Sequence, residues 1–235
     1  MPLPTLETPK YSIKIPSTGK TVEYRPFLVK EEKILLIAQE SGETSHMISA
    51  MKDIISACTF EKINPNDLTT FDLEYIFLKL RSKSVGENAN ILVKCESCNH
   101  KNPLSLNLDE ISINMPANIE KTVMLTSNVG VNMRYIKAKD ITKLADVSKS
   151  EADLITDIVI ASIESIFDES KIYPTDDTPK EELIVFVNSL NHDQLNKLQK
   201  FIESAPKLEK IIEFKCTSCK TDNKITLSGI QSFFE

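Results

Sequence analysis

Two stretches of the sequence are nearly identical: Val93-Lys-Cys-Glu-Ser-Cys98 and Phe214-Lys-Cys-Thr-Ser-Cys219. In each, an apolar residue and a lysine come before a Cys-x-Ser-Cys turn, and a short strand-like segment leads into it. An asparagine, Asn102 or Asn223, follows each turn and opens an alternating segment. The two stretches therefore predict two copies of one knuckle, a strand-turn unit that presents two thiols.

The four paired cysteines form a ligand set that suits zinc. Thiolates are soft ligands, and zinc prefers four of them in a tetrahedron. More than a hundred residues separate the pairs, far more than in a compact zinc ribbon, so the spacing alone does not establish one shared ion. The matched context supports sharing, because two equivalent units can pack around a pseudo-twofold axis. We therefore predict one structural zinc bound by Cys95, Cys98, Cys216 and Cys219.

Other interpretations of these cysteines are an empty dithiol site and a redox motif. A thioredoxin-like pair opens a helix after a strand, whereas alternating residues follow both pairs here. His100 lies two residues after Cys98, but four sulfurs already complete the tetrahedron, which favours a solvated histidine. The fifth cysteine, Cys58, lies in an apolar pattern and is expected to be a small buried hydrophobe.

The composition predicts a folded, soluble protein. The 235 residues carry a formal charge of −6, with 41% hydrophobic and 26% charged residues. An acidic balance argues against a protein that grips the phosphate backbone of a nucleic acid. The sequence starts without a cationic region followed by an apolar stretch, so we expect no signal peptide, and no apolar run is long enough to span a membrane.

The pattern of elements predicts an α+β fold that is mostly helical, with short β-hairpins and a split four-cysteine, zinc-ribbon-like site formed by two distant knuckles. Residues 11–25 alternate around a Pro-Ser-Thr-Gly-Lys turn and predict a hairpin. Residues 154–167 are strongly apolar at helical spacing and predict one deeply buried helix. We expect one composite domain with five segments: a hairpin plus helices (1–88), the first knuckle (89–110), a β-rich segment (111–139), a helical segment (140–206), and the second knuckle with the tail (207–235).

The sequence contains no credible catalytic constellation. Its three histidines are isolated from one another in predicted caps or turns. The stretch Ser17-Thr-Gly-Lys-Thr21 resembles the end of a phosphate-binding loop, but Lys14 stands where the first glycine belongs. A closed four-sulfur site also leaves no position for a substrate. The sequence therefore predicts a protein that is not an enzyme and has no small-molecule substrate.

The N-terminal residues resemble those of a known family. The resemblance rests on Met1-Pro-Leu-Pro, on Pro16-Ser-Thr-Gly-Lys20 and on Tyr24-Arg-Pro-Phe-Leu-Val-Lys-Glu-Glu-Lys-Ile-Leu-Leu36. They are similar to the baseplate hub and hub-assembly proteins of T-even-like, contractile-tailed phages. The resemblance implies a virion-assembly protein, made in the host cytoplasm, that either helps to build the central hub of the tail baseplate or forms part of it, with other hub and tail proteins as its partners.

Two segments are candidates for partner contact: Arg25, Pro26, Phe27 and Leu28 in the N-terminal signature, and Phe233 with Phe234 in the tail. Two other functions stay open at this point. Zinc ribbons are common in regulators that bind nucleic acid or polymerase, although the acidic charge disfavours nucleic acid. The protein is alternatively a transient tail-assembly chaperone that is absent from the finished particle.

Overall fold

The structure is a computed structural model that describes residues 6–113, 115–116, 120–144 and 150–233. The chain divides into two compact units. The first unit comprises Met1–Pro65, Phe71–Met115 and Pro206–Glu235, and the second comprises Asn66–Thr70 and Pro116–Ala205. Both cysteine stretches therefore belong to the first unit, although most of the second unit lies between them in the sequence.

The described residues form seven α-helices and ten strands, besides four short 3-10 helices. The helices are α1 (Val29–Ser41), α2 (Thr44–Cys58), α3 (Thr70–Val85), α4 (Ala138–Leu144), α5 (Glu151–Ala161), α6 (Lys180–Asn188) and α7 (His192–Glu203). The strands are β1 (Tyr11–Lys14), β2 (Thr21–Tyr24), β3 (Asn88–Lys94), β4 (Lys101–Asn107), β5 (Thr122–Met124), β6 (Gly130–Met133), β7 (Ile163–Phe167), β8 (Ile172–Pro174), β9 (Glu209–Lys215) and β10 (Asp222–Ser228).

The first unit contains three separate two-stranded antiparallel sheets and helices α1 to α3. Strands β1 and β2 form the predicted N-terminal hairpin, which is confirmed, with Gly19 at φ +70° in its turn. Strands β3 and β4 form the second sheet, and β9 and β10 form the third. Helix α3 is the central helix of this unit because its apolar residues are buried along its length: Phe71, Leu73, Ile76, Phe77, Leu78 and Leu80.

The hairpins that carry the cysteines share one hydrophobic core with α3. Alternate residues of β3 point inward, as expected for a strand with one buried face. Burial of such apolar surface is the main favourable contribution to folding. The buried members of this core are Leu78, Ala89, Ile91, Val93, Leu106, Leu108, Ile111, Leu208 and Leu227.

The second unit is built on a four-stranded antiparallel sheet in the order β5-β6-β7-β8. Its hydrophobic core draws on this sheet and on helices α5, α6 and α7. The buried members are Leu125, Val131, Met133, Val159, Ile163, Val187, Leu198 and Phe201. No helix in the described part of the chain is both long enough and apolar enough to span a membrane.

The prediction of a mostly helical fold was wrong. The structure is 43% helix and 26% strand, with four small antiparallel sheets. Part of the error lies in residues 154–167, which we predicted as one deeply buried helix. Helix α5 ends at Ala161, and only Val159 of that helix is buried. The remaining apolar residues form β7, where Ile166 pairs with Val131 of β6.

The physical reason is a competition between local and distant hydrogen bonds. Isoleucines at positions 163 and 166 fit helical spacing, but β-branched side chains are also favoured on a pleated sheet. The Ser162 hydroxyl donates to the Ile158 carbonyl at 2.9 Å, at the C-terminal end of α5. Pairing with β6 on one side and β8 on the other then satisfies the backbone of β7.

Gly130 supports a specific prediction for the sheet of the second unit. It pairs with Met124 and with Phe167, and a Cβ at this position would overlap the Phe167 ring and lie 2.9 Å from the Met124 sulfur. We expect Gly130→Ala to lower the free energy of unfolding by about 1–3 kcal/mol through overpacking, measured by urea denaturation. Phe167→Leu removes the ring, so the same glycine substitution should cost less in that background. Equal costs in both backgrounds would contradict the overlap with the ring.

Candidate metal centre

The two cysteine turns have the same backbone structure. In the first turn, the Cys95 N–H donates to the His100 carbonyl, and the Asn99 N–H donates to the Cys95 carbonyl. In the second turn, the Cys216 N–H donates to the Thr221 carbonyl, and the Lys220 N–H donates to the Cys216 carbonyl. The offsets along the chain are the same in both turns, and the bonds are 2.9–3.1 Å long. The predicted repeat is therefore a repeat of structure as well as of sequence.

Each turn needs one residue in the left-handed region of backbone conformation. Asn99 has φ 58° and Lys220 has φ 62° at equivalent positions. Asparagine tolerates this conformation better than most residues with a side chain, whereas lysine rarely adopts it. The Lys220 Nζ donates to the Thr217 carbonyl at 2.9 Å within the same turn. The turn geometry is thus kept in both copies in spite of different residues.

The four sulfurs of the two turns converge. The Cys95 and Cys219 Sγ atoms are 3.6 Å apart, and those of Cys98 and Cys216 are 3.7 Å apart. All four Sγ atoms lie within 4.8 Å of one another. A zinc ion with four Zn–S bonds of about 2.3 Å in a tetrahedron would set its sulfurs about 3.8 Å apart. The cluster is therefore consistent with a metal site in which two sulfurs come from each turn.

Burial follows the same twofold pattern. The first cysteine of each pair is buried, while the second cysteine, Cys98 or Cys219, is exposed. Because the two turns contribute equivalent pairs, the cluster has an inner and an outer sulfur from each. Cys58 differs from these four cysteines. Its thiol is fully buried and lies apart from the cluster, and burial raises its pKa to about 11.

Two asparagines join the turns to each other. Asn102 and Asn223 are 1% and 5% exposed, and each follows the first cysteine of its own turn by seven residues. The Asn102 Oδ1 accepts from the backbone N–H of Thr217 at 2.8 Å, and the Asn223 Oδ1 accepts from the backbone N–H of Glu96 at 3.0 Å. Each asparagine thus binds the backbone of the opposite turn, next to its first cysteine.

The same asparagines also bind their own turns. The Nδ2 atoms donate to the carbonyls two residues earlier, Asn102 to His100 at 2.9 Å and Asn223 to Thr221 at 2.8 Å. The Asn102 Nδ2 additionally approaches the Cys216 sulfur at 3.7 Å. Buried amides need such partners because an unmade hydrogen bond in the interior is costly. Both side chains are therefore positioned to hold the turns in register.

The thiols compete for protons because they are crowded together. Backbone N–H groups of Cys219 and Ser218 favour the Cys216 thiolate and lower its pKa to about 6. At Cys98 the His100 N–H also favours the thiolate, but the neighbouring Cys219, Cys216 and Cys95 sulfurs, with some loss of solvation, outweigh it and raise the pKa to about 12. Four thiolates at this distance repel one another, and a bound cation is the usual means of compensating such charge.

The structure brings together all four predicted metal ligands, while His100 lies exposed outside the sulfur cluster. Sequence reasoning recognised Asn102 and Asn223 as markers of the repeat but gave them no role. Both asparagines follow the first cysteine of their turn by seven residues, and this shared position was the signal in the sequence that could have indicated a common role. The sequence did not show that each side chain binds the opposite turn as well as its own.

The candidate partner segment 25–28 is largely internal. The Arg25 side chain is 11% exposed and pairs with Glu31, which is 3% exposed, at 2.9 Å. Burial opposes ionisation of Glu31, but hydrogen bonds from Arg25 and from the Leu28 N–H outweigh it and hold the pKa of this carboxyl below its ordinary value. Phe27 is also buried, Pro26 is half-buried, and Leu28 is exposed.

The structure describes only part of the two tail candidates, Phe233 and Phe234. The Phe233 backbone belongs to a short 3-10 helix, Ile230–Phe233. The Phe233 side chain and the whole of Phe234 lie outside the described residues.

Comparison with known proteins identifies the family. No curated protein and no solved structure matches the chain. The family described as "T4 bacteriophage base plate protein" matches residues 8–235, which is nearly the whole chain and includes both cysteine turns. The match agrees with the family resemblance of the N-terminal residues. The chain therefore belongs to the T4 bacteriophage base plate protein family.

Proposed function

We propose that this base plate protein is a non-enzymatic structural or assembly protein of the phage tail baseplate hub, and that one structural zinc ion stabilises its fold. Membership of the base plate family supports the structural role and implies association with other baseplate or tail proteins. The hub assignment rests on the resemblance of the N-terminal signature to hub and hub-assembly proteins. The zinc assignment rests on the convergence of the four sulfurs.

Zinc fits this cluster better than harder cations do. Four sulfur donors select soft or borderline metals, whereas calcium and magnesium require oxygen ligands. The distances of 3.6 and 3.7 Å between sulfurs of different turns are close to the edge of a zinc–sulfur tetrahedron. Cys95, Cys98, Cys216 and Cys219 would fill all four positions. Zinc so bound has no open position for a substrate and contributes stability instead of catalysis.

The proposed role of the ion is to connect the two hairpins that carry the turns. Structural zinc contributes on the order of 10 kcal/mol to the folding of small zinc domains. In this protein the ligands also come from segments far apart in sequence, so the ion would close a very long loop. The expected partners are other hub and tail proteins in the assembling virion, in the cytoplasm of the infected host and in the finished tail.

The zinc proposal predicts metal content and its dependence on particular cysteines. Purified, reductant-treated protein should contain one zinc ion per chain by elemental analysis. Cys95→Ser and Cys216→Ser should each lose the ion and lower the free energy of unfolding by several kcal/mol, because three sulfurs bind zinc less tightly than four. Cys58→Ala is the matched control, and it should keep the zinc because Cys58 lies outside the cluster. Metal-free protein would contradict the proposal. Loss of zinc from Cys58→Ala, with zinc retained by Cys95→Ser and Cys216→Ser, would contradict it as well.

The cross-turn asparagines predict a second effect on the site. Asn102→Ala and Asn223→Ala should each speed the transfer of zinc to a competing chelator by about 10–100-fold, as for other groups that support metal ligands. Asn90→Ala is the control, since Asn90 lies exposed on β3 of the same hairpin. If all three substitutions released zinc at the rate of the unsubstituted chain, the asparagines would have no part in holding the ligands.

The hub proposal predicts where the protein is found during infection. Mass spectrometry of fractionated assembly intermediates should detect it with hub proteins, and analysis of purified virions then distinguishes a retained component from a hub-assembly factor. Its absence from hub intermediates and from virions would contradict the proposal. Tight, salt-sensitive binding to DNA would instead favour a regulator, because release of counterions makes such binding fall steeply with salt.

A further inference from the structure

Helix α1 buries only a narrow part of its surface. Its sequence contains the run Ile34-Leu-Leu-Ile-Ala38, which places apolar side chains around most of the helix. Only Glu31 and Ala38 are buried, with Leu35 half-buried on the same side. A helix that is apolar on several sides is normally covered on those sides. The internal Arg25–Glu31 ion pair and the Leu28 N–H bond to Glu31 hold the N-terminal end of α1 in this orientation.

The opposite face of α1 is apolar and exposed. Val29 is 66% exposed, Leu36 52% and Ile37 68%, and these residues follow one another at helical spacing on one side. Leu28 and Ile34 adjoin this face and are also exposed. Single apolar residues on a surface are ordinary, whereas a contiguous patch on one helix marks an interaction surface. We call Val29, Lys33, Leu36, Ile37 and Glu40 the outer face of α1.

Two charged residues of the outer face are symmetrically placed about its apolar centre. Lys33 precedes Leu36 by three residues, and Glu40 follows Ile37 by three residues. Both side chains are exposed, and neither forms an ion pair with a residue in the described part of the chain. Read along the helix, the outer face therefore runs from a positive charge, through two large apolar residues, to a negative charge.

This pattern is complementary to itself when two helices run in opposite directions. We propose that the outer face of α1 binds the outer face of a second copy of this chain, with a twofold axis between Leu36 and Ile37. Leu36 and Ile37 of one copy then pack on those of the other. Lys33 of each copy faces Glu40 of the second copy, which makes two ion pairs, and the interface uses the same surface on both copies.

The charges of the outer face favour a second copy of the chain as the partner and an antiparallel direction of the two helices. A parallel pair would place Lys33 beside its own counterpart and Glu40 beside its own, so like charges would repel at both ends. In the antiparallel pair, opposite charges meet at both ends. One helix from each copy gives an interface below the usual size of a stable complex, so we expect a dimer with a dissociation constant in the micromolar range.

The apolar centre of the interface can be tested by sedimentation equilibrium on the full chain. The unsubstituted chain should be in equilibrium between monomer and dimer. Ile37→Asp should raise the dissociation constant by about a hundredfold or more, because each dimer then buries two unpaired charges. Val185→Asp is the control, since Val185 is 69% exposed on α6, and it should leave the equilibrium unchanged. A chain that stays monomeric at millimolar concentration would overturn the proposal.

The charges provide a test that distinguishes a second copy from a different partner. Lys33→Glu and Glu40→Lys should each weaken the dimer by about tenfold, since each replaces two attractive pairs by two repulsive ones. The double variant should dimerise like the unsubstituted chain. Mixing the two single variants should restore association as a mixed dimer, because opposite charges then meet at both ends. If the single variants associate as well as the unsubstituted chain, or the mixture does not recover, the antiparallel arrangement is wrong.

These measurements are independent of the zinc and hub proposals. The variants lie on an exposed face of α1, so their zinc content should equal that of the unsubstituted chain. Elemental analysis of each variant checks this point. A loss of self-association with zinc retained assigns the effect to the helix face and not to the cysteine site.

Discussion

The convergence of four sulfurs from two β-hairpins is the constraint on which the first unit depends. The sulfurs lie within 4.8 Å of one another, although their turns are more than a hundred residues apart in sequence. Bringing such distant segments together has a cost in chain entropy that grows slowly with loop length. That cost is offset by the apolar core that both hairpins share with α3 and by the contacts between the turns. A metal ion at the sulfurs would add bonds at the point where the two hairpins meet.

The contacts between the turns are unusually well matched. Asn102 and Asn223 each bind their own turn and the opposite one, so that removing either side chain takes away the acceptor for a backbone N–H beside the first cysteine of the opposite turn. Such reciprocal bonds fix the relative position of the hairpins before any ion is considered. The cysteines are therefore presented as a set of four. This arrangement suits a structural ion, because the ligands need little movement to close around it.

The N-terminal part of the first unit has a different role. Burial of Arg25 and Phe27 means that most of segment 25–28 supports the fold, with Leu28 left at the surface. The Arg25–Glu31 pair is almost fully removed from water, and breaking a buried pair of this kind is costly because it leaves an unpaired charge. Its structural effect is to set the orientation of α1. The apolar outer face of that helix is then available for contacts in an assembling baseplate.

The sequence by itself determined the features that depend on local chemistry. The two cysteine turns and the N-terminal hairpin could be predicted because a few neighbouring residues specify each turn. The family resemblance was likewise carried by short stretches within the first 36 residues, and the family match supports it. The candidate metal ligands could be named because thiol pairs of this spacing have few other uses.

Only the tertiary structure decided the features that depend on distant partners. Residues 163–167 became a strand because β6 and β8 offer hydrogen bonds that no local pattern records. The same is true of α1, where apolar residues on nearly every side left the buried face undetermined until Arg25 and Glu31 were seen to pair. Asn102 and Asn223 acquired a role only when their turns met. Each of these outcomes is a choice between nearly equal local alternatives, and contacts made far along the chain supply the free energy that selects one of them.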